Sequence, residues 1–301
     1  MTSTQPDSTI AALTAWAEAR ADVVSVLITS TRAVPDARLD AYSDYDVIVI
    51  VADVEPFARN DEWLNAFGEV LIAYWDPVEV DAITGAVSVG NITQYVNGLK
   101  IDFGVWSTQR LHDVLDAPTP VDELDAGYRV LLDKHDLTSG LPAPTYAAYI
   151  PPRPTEETYL RLITDFFIGP PHVAKSLLRG QLMPAKWVLD FDMRFNYFVP
   201  MLEWRVECDQ AWSWKPGSLG KGLKAQVSSA VWAEFEATFV GHDEQANWDA
   251  LFAMMALFGQ IAREVADLLG FTYPQELEDS LVLHVQRMRE GTFAAGPVEN
   301  G

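Results

Sequence analysis

Five prolines crowd residues 142–154 (Pro142, Pro144, Pro151, Pro152 and Pro154), with Ser139 and Gly140 just ahead of them. Proline fixes φ, lacks a backbone N–H and disfavours helix in the residue before it, so no regular helix or central strand is expected across this stretch. Residues 137–154 therefore read as an extended linker, and 301 residues leave room for a domain on either side. We expect a first domain over 1–136, a second over 155–290 and a flexible tail over 291–301.

The two sides carry different periodicities. Ahead of the linker, Val23–Ile28, Val47–Val51, Val70–Trp75 and Lys100–Trp106 are short β-branched or aromatic runs that read as strands. Ile10, Leu13, Trp16 and Ala17 have helical spacing, Trp63–Phe67 reads as part of a helix, and Leu124–Leu132 fits either state. After the linker, helices are expected over 156–168, 172–181, 184–198, 200–208, 228–239, 244–269 and 275–290, with Thr155 as an N-cap and Gly270 as a C-terminal stop. The fold class is α+β: a mixed sheet with helices, then an all-helical bundle.

Charge narrows the function classes. Asp and Glu number 43 against 21 Lys and Arg, a formal net charge of -22, which repels nucleic acid and anionic membrane and attracts cations. Such acidity equally suits plain solubility. The single cysteine, Cys208, forms no intramolecular disulfide, and the five histidines lack metal-binding spacing. With no signal-like N-terminus and no long apolar run, a cytoplasmic protein, monomeric or homodimeric, is expected. Residues 175–224 hold eight bases against five acids, which suits either an anionic partner or ordinary helix-surface ion pairing.

The sharpest chemical feature is Ser43-Asp44-Tyr45-Asp46 running into Val47–Val51. Residues two apart on a strand share a face, so Asp44 and Asp46 project together and repel unless a cation lies between them. Asp102 interrupts a second apolar strand, Lys100–Val105, where an acid is costly unless paired or metal-bound. A lone Asp-x-Asp at a strand edge is commonly a solvated turn. Three inward carboxylates on neighbouring strands instead suit Mg²⁺-assisted phosphoryl chemistry. Upstream, Thr29-Ser30-Thr31-Arg32 follows the first strand as a hydroxyl-rich turn able to donate to phosphate oxygens, a weak signal alone.

Ser30-Thr31-Arg32, then Asp44-Tyr45-Asp46 twelve residues beyond Arg32, then a strand Asp resembles the active-site layout of the DNA polymerase β-type nucleotidyltransferase superfamily. Within it, the chain resembles the aminoglycoside 6-adenylyltransferases over almost its whole length. The segments are YSDYDVIVIV (42–51), EWLNAFGEV (62–70), KIDF (100–103), VLLDKH (130–135), PHVAKSLLRGQL (171–182), MLEWRVE (201–207), KPGSLGKGLK (215–224) and REVADLLGFTYP (263–274).

The resemblance implies transfer of AMP from ATP, with Mg²⁺, to the 6-position of streptomycin, releasing pyrophosphate. Asp44 and Asp46 match the metal-binding pair and Asp102 the third carboxylate. Ser30, standing where the family usually has Gly, joins Thr31 and Arg32 as nucleotide contacts, and its β-carbon threatens either to clash with the γ-phosphate or to push the turn out of a positive-φ conformation. Lys175, Arg179, Lys215, Lys221 and Lys224 match segments facing the nucleotide. Asp102 or Asp190 is the expected general base. Asp190, Asp192, Glu203 and Trp204 are the expected contacts to the cationic antibiotic, although Asp190 and Asp192 equally suit a solvated helix face and the tryptophan a core position. The alternative is a fold relative that binds a cationic small molecule with altered substrate or no turnover.

Overall fold

The β-branched runs form strands because their side chains pack on both faces of one sheet. In the computed structural model, which describes residues 7–35 and 37–292, these strands are β1 (Val23–Thr29), β2 (Tyr45–Val51), β3 (Val70–Trp75), β4 (Glu79–Val80), β5 (Val87–Tyr95), β6 (Lys100–Ser107) and β7 (Tyr128–Asp133). The order is β3-β5-β6-β2-β1-β7, with β4 also on β5. β2 and β6 run parallel and the other pairs antiparallel, so the sheet is mixed.

On one face Leu13 and Ala17 of α1 (Ser8–Glu18), Phe57 of α2 (Glu55–Arg59) and Trp63 of a 3₁₀ turn (Glu62–Phe67) cover Val26, Val47, Val49, Phe103 and Val105. On the other face Leu111 and Val114 of α3 (Thr108–Leu115) and Leu124 of α4 (Asp122–Asp125) cover Leu27, Ile48, Ile50 and Trp106. Residues 62–67, expected as α-helix, are this tighter 3₁₀ turn, and 124–132 divides into the end of α4 and β7.

β5 escapes periodicity because its core-facing row, Val87, Val89, Asn91, Thr93 and Tyr95, includes two polar residues. They satisfy each other inside the sheet. Thr93 Oγ1 donates to Asn91 Oδ1 at 2.5 Å, and Asn91 Nδ2 donates to the Tyr74 carbonyl at 3.0 Å.

The chain divides into two compact units, Met1–Ala148 and Tyr149–Gly301. The first therefore takes in much of the proline-rich segment. The buried Asp125 carboxylate accepts from Thr145 N (2.7 Å), Thr145 Oγ1 and Ala148 N (2.9 Å), and Tyr128 Oη donates to the Pro142 carbonyl at 3.0 Å. The segment is extended but docked.

The second unit is helical: α5 (Glu156–Leu178), α6 (Leu182–Lys186), a π-helix (Trp187–Phe198), α7 (Val199–Gln210), α8 (Ser229–Ala237), α9 (Glu244–Leu269) and α10 (Gln275–Arg289). Thr155 Oγ1 caps α5 by accepting from Thr158 N, and Gly270, at φ 76°, ends α9. The expected break at 169–171 is absent. α5 runs through Pro170 and Pro171 because its buried stripe (Tyr159, Ile163, Phe166, Phe167, Val173, Ala174, Leu177) continues on either side. Phe166 stacks on Phe258 at 3.7 Å, and burying such a stripe outweighs the cost of the missing N–H groups, about 3 kcal/mol or more for a helix-interior proline. From Leu182 to Gln210 three helical segments follow without an intervening loop, so the expected stop after residue 198 is also absent. No helix among the described residues is long and apolar enough to cross a membrane. The tail expected from 291 lies, from 293, outside the described residues.

Candidate active site

The parallel pairing of β2 with β6 sets Asp46 directly opposite Asp102. Their side chains share the sheet face of Ile48, Gly104 and Trp106, and Asp44 precedes β2 on the same alternation. Burial, then the Asp102 charge, push the Asp46 carboxyl above its ordinary range. Lys100 and the Ser30 hydroxyl pull it back less than burial and the Asp102 and Asp44 charges raise it. Lys100 Nζ lies 2.6 Å from Asp44 Oδ2 and 2.7 Å from Asp102 Oδ2. Burial by itself would weaken this ammonium, but hydrogen bonds to Asp102 and Asp44 outweigh it and hold Lys100 protonated. Asp102 Oδ1 is buried with no hydrogen-bond partner. Among the described residues no three His, Cys, Asp or Glu side chains converge as a ready-made metal cage. The expected trio appears as two carboxylates, Asp44 and Asp102, bridged by an ammonium, with the Asp46 carboxylate beside them.

Ser30 keeps a positive φ of 58°, so its β-carbon does not drive the turn out of the left-handed region as expected. Ser30 N donates to the Gly127 carbonyl at 2.9 Å, which anchors the turn to the loop ahead of β7. Thr31 is exposed beside it. Arg32, expected as a nucleotide contact, is engaged by the protein's own backbone. Its Nε and Nη2 donate to the carbonyls of Asp44 (2.8 Å) and Ser43 (2.7 Å), and its guanidinium lies 3.5 Å over the Tyr45 ring. Arg32 therefore clamps the backbone that presents Asp44 and Asp46.

A cavity of about 430 Å³ opens over this face. Gly90 and Gly104, paired in register on β5 and β6, form its floor beside Ile48. A β-carbon at Gly90 would collide with Asp76 Oδ2, so glycine there is what lets that carboxylate lie against the sheet. The lining carries Asp46, Asp76, Glu79, Asp102 and Glu123 and no Lys or Arg, which makes it a cation-attracting space. Sequence reasoning passed over Asp76, just beyond β3, Glu79 in the two-residue β4 and Glu123 in the one-turn α4, none of which carries a local signal. Lys100 was findable, since it lies two residues from Asp102 on one strand.

The second unit sorts its candidates differently. Asp190 Oδ1 accepts from Arg194 Nη1 (2.9 Å), Asp190 Oδ2 pairs with Lys186 Nζ (2.7 Å), and Arg194, almost wholly buried, also donates to the Thr238 carbonyl at 2.8 Å. Both Asp190 oxygens thus serve a structural network rather than standing free as a base. Asp192 accepts from Asn196 Nδ2 at 2.9 Å. Trp204 is core, buried with Leu202 and Val206, so it offers no stacking face to a ligand. Glu203 and the fully buried Glu207 lie one turn apart on α7, and burial followed by the Glu207 charge pushes the Glu203 carboxyl up to about 7. Lys175, Arg179 and Lys221 are exposed, Lys224 pairs with Glu236 at 3.0 Å, and Lys215 is half-buried. The glycines of that last loop serve its own closure. Gly222 N donates to the Pro216 carbonyl at 2.7 Å, an approach a β-carbon would obstruct.

Comparison with known proteins covers residues of both units. The sequence model of the family described as Streptomycin adenylyltransferase matches residues 5–288. An aminoglycoside 6-adenylyltransferase of Bacillus subtilis (strain 168) is 27% identical over 78% of this chain and 81% of its own length. One from Campylobacter jejuni is 26% identical over 78% of this chain and 79% of its own length. A crystal structure of an aminoglycoside 6-adenyltransferase from Bacillus subtilis aligns with 95% of this chain and 99% of its own at 21% identity, with a TM-score of 0.46. Because the family match runs through both units, the chain is a nucleotidyltransferase and belongs to the streptomycin adenylyltransferase family.

Proposed function

We propose that this chain is a cytoplasmic enzyme that transfers AMP from ATP to a hydroxyl of an aminoglycoside, with the 6-position of streptomycin as the expected acceptor, and so inactivates the antibiotic. The observation that carries the reading is Asp46 opposite Asp102 on parallel strands, with Asp44 at the strand entry and an acidic cavity above. Its donors are carboxylate oxygens, one of them buried and unpartnered, and they already attract an ammonium, a set that fits Mg²⁺. Asp44, Asp46 and Asp102 are the residues that would hold the ion. Bound there, Mg²⁺ would neutralise phosphate charge and make the acceptor hydroxyl more acidic.

The acceptor oxygen attacks the α-phosphorus of ATP in line, the bond to the bridging oxygen breaks, and pyrophosphate leaves. Asp102, which lines the cavity opposite Asp46, is the proposed acceptor of the hydroxyl proton. Asp190 is a poorer choice because Arg194 and Lys186 hold both its oxygens. Arg32 keeps the Asp44–Asp46 backbone in place, and Thr31 is the turn residue free to meet phosphate. The exposed Lys175, Arg179 and Lys221 remain proposed phosphate contacts. The acidic lining suits guanidinium and ammonium groups, and Glu203 is a proposed second contact to them.

The test is pyrophosphate release from ATP and Mg²⁺ with and without streptomycin, beside an Asp44→Asn control. Release that needs both streptomycin and Asp44 is expected. Silence across streptomycin and a panel of other aminoglycosides would overturn the proposal in favour of a binding protein.

A further inference from the structure

We infer that Lys100 is a positioning residue that occupies the carboxylate site in the nucleotide-free protein, competes with the divalent cation, and couples its entry to nucleotide. The inference rests on the metal reading above. Lys100 opens β6 and points to the same face as Asp102. Its Nζ contacts one oxygen of Asp44, just ahead of β2, and one of Asp102 on β6, segments far apart in sequence. Two carboxylates contact this one ammonium and a third, Asp46, lies opposite Asp102 in the strand register, so the cluster keeps an excess of negative charge. A divalent cation suits the deficit better than a single ammonium does.

The two cations cannot share the site. Mg²⁺ takes carboxylate oxygens at about 2.0–2.1 Å. It would claim the lone pairs of Asp44 and Asp102 that Lys100 now uses, and an ammonium has no lone pair to offer and is repelled. Lys100 must therefore withdraw on its four-carbon stem when metal enters. Without nucleotide the withdrawn ammonium loses two anionic partners and gains only water. With a triphosphate present, it gains a phosphate oxygen. Metal and nucleotide should consequently bind with positive coupling, and Lys100 should carry part of that coupling.

The experiment titrates Mn²⁺ into wild type, K100M, K100Q, K100R and D44N, with and without a non-hydrolysable ATP analogue, following free Mn²⁺ by electron paramagnetic resonance. Circular dichroism checks each fold. Without nucleotide, K100M and K100Q should bind Mn²⁺ about tenfold tighter than wild type, and K100R close to wild type. The analogue should raise Mn²⁺ affinity less in K100M than in wild type. A merely structural role predicts the opposite sign, because damage to the site weakens metal binding. If wild type binds Mn²⁺ through Asp44 but K100M and K100Q are no tighter, the inference falls while the metal reading stands. If no variant binds Mn²⁺ with or without the analogue, both fall.

Discussion

Glu203→Gln isolates the energetics of the acidic pair on α7. The Glu203 carboxyl titrates near 7 in place of 4.5, first because it is buried and second because Glu207 lies one turn away. Between these two values the folded chain keeps a proton that the unfolded chain has released, so stability falls as pH rises through this window and levels off above it. The interval corresponds to roughly 3 kcal/mol, and screening of a side chain that still reaches water reduces this to about 1–2 kcal/mol. Glutamine keeps the shape and removes the charge. The variant should match wild type near pH 4.5 and exceed it by about 1–2 kcal/mol at pH 8, a rise of about 2–6 °C in the midpoint of the helical unit. Urea unfolding followed by tryptophan fluorescence at pH 4.5, 6, 7 and 8 reads this directly. A stability gap that is equal at pH 4.5 and 8 would refute the reasoning. So would a variant less stable at pH 8, because it would show that the carboxylate is ionised and held by a cation.

Two further predictions concern the turn beside the carboxylates. Arg32→Lys removes the forked contact to the carbonyls of Ser43 and Asp44 and the stacking on Tyr45. It should destabilise the first unit by about 1–3 kcal/mol and speed hydrogen exchange at residues 43–46, and unchanged exchange there would count against the clamp. Ser30→Gly relieves a left-handed backbone that costs an L-residue about 1–2 kcal/mol, while freeing the unfolded chain and removing the hydroxyl beside Asp46. Stability by denaturant melt should stay within about 1 kcal/mol of wild type with turnover retained. A loss beyond about 2 kcal/mol would show that the hydroxyl, not the backbone conformation, dominates there.

Chain-local information was enough for much of this protein. The β-branched or aromatic runs at 23–28, 47–51, 70–75 and 100–106 lie within strands β1, β2, β3 and β6 because residue type and period are properties of each segment alone. Asp44, Asp46 and Asp102 were visible as charges beside or inside such runs, unlike the other acids of the cavity lining, and the helical character of residues 155–290 was visible from spacing. What depended on partners was hidden. β5 carries Asn91 and Thr93 in its buried row, which is tolerated only because the two bond each other and the Tyr74 carbonyl. α5 continues through Pro170 and Pro171 because the core grips it on both sides, an energy no local rule contains.

The same division runs through the site. That Asp44, Asp46 and Asp102 are acids at the head of one strand-like run and inside another follows from the sequence. That Asp46 faces Asp102, that Lys100 bridges to Asp44, and that Arg32 turns inward to hold the backbone all follow from the parallel register of β2 and β6 and from where the Ser30–Ala33 turn is anchored. Side-chain type is written along the chain, but the identity of a charged group's partner is a matter of distance. That distance is set only when strands remote in sequence are laid side by side.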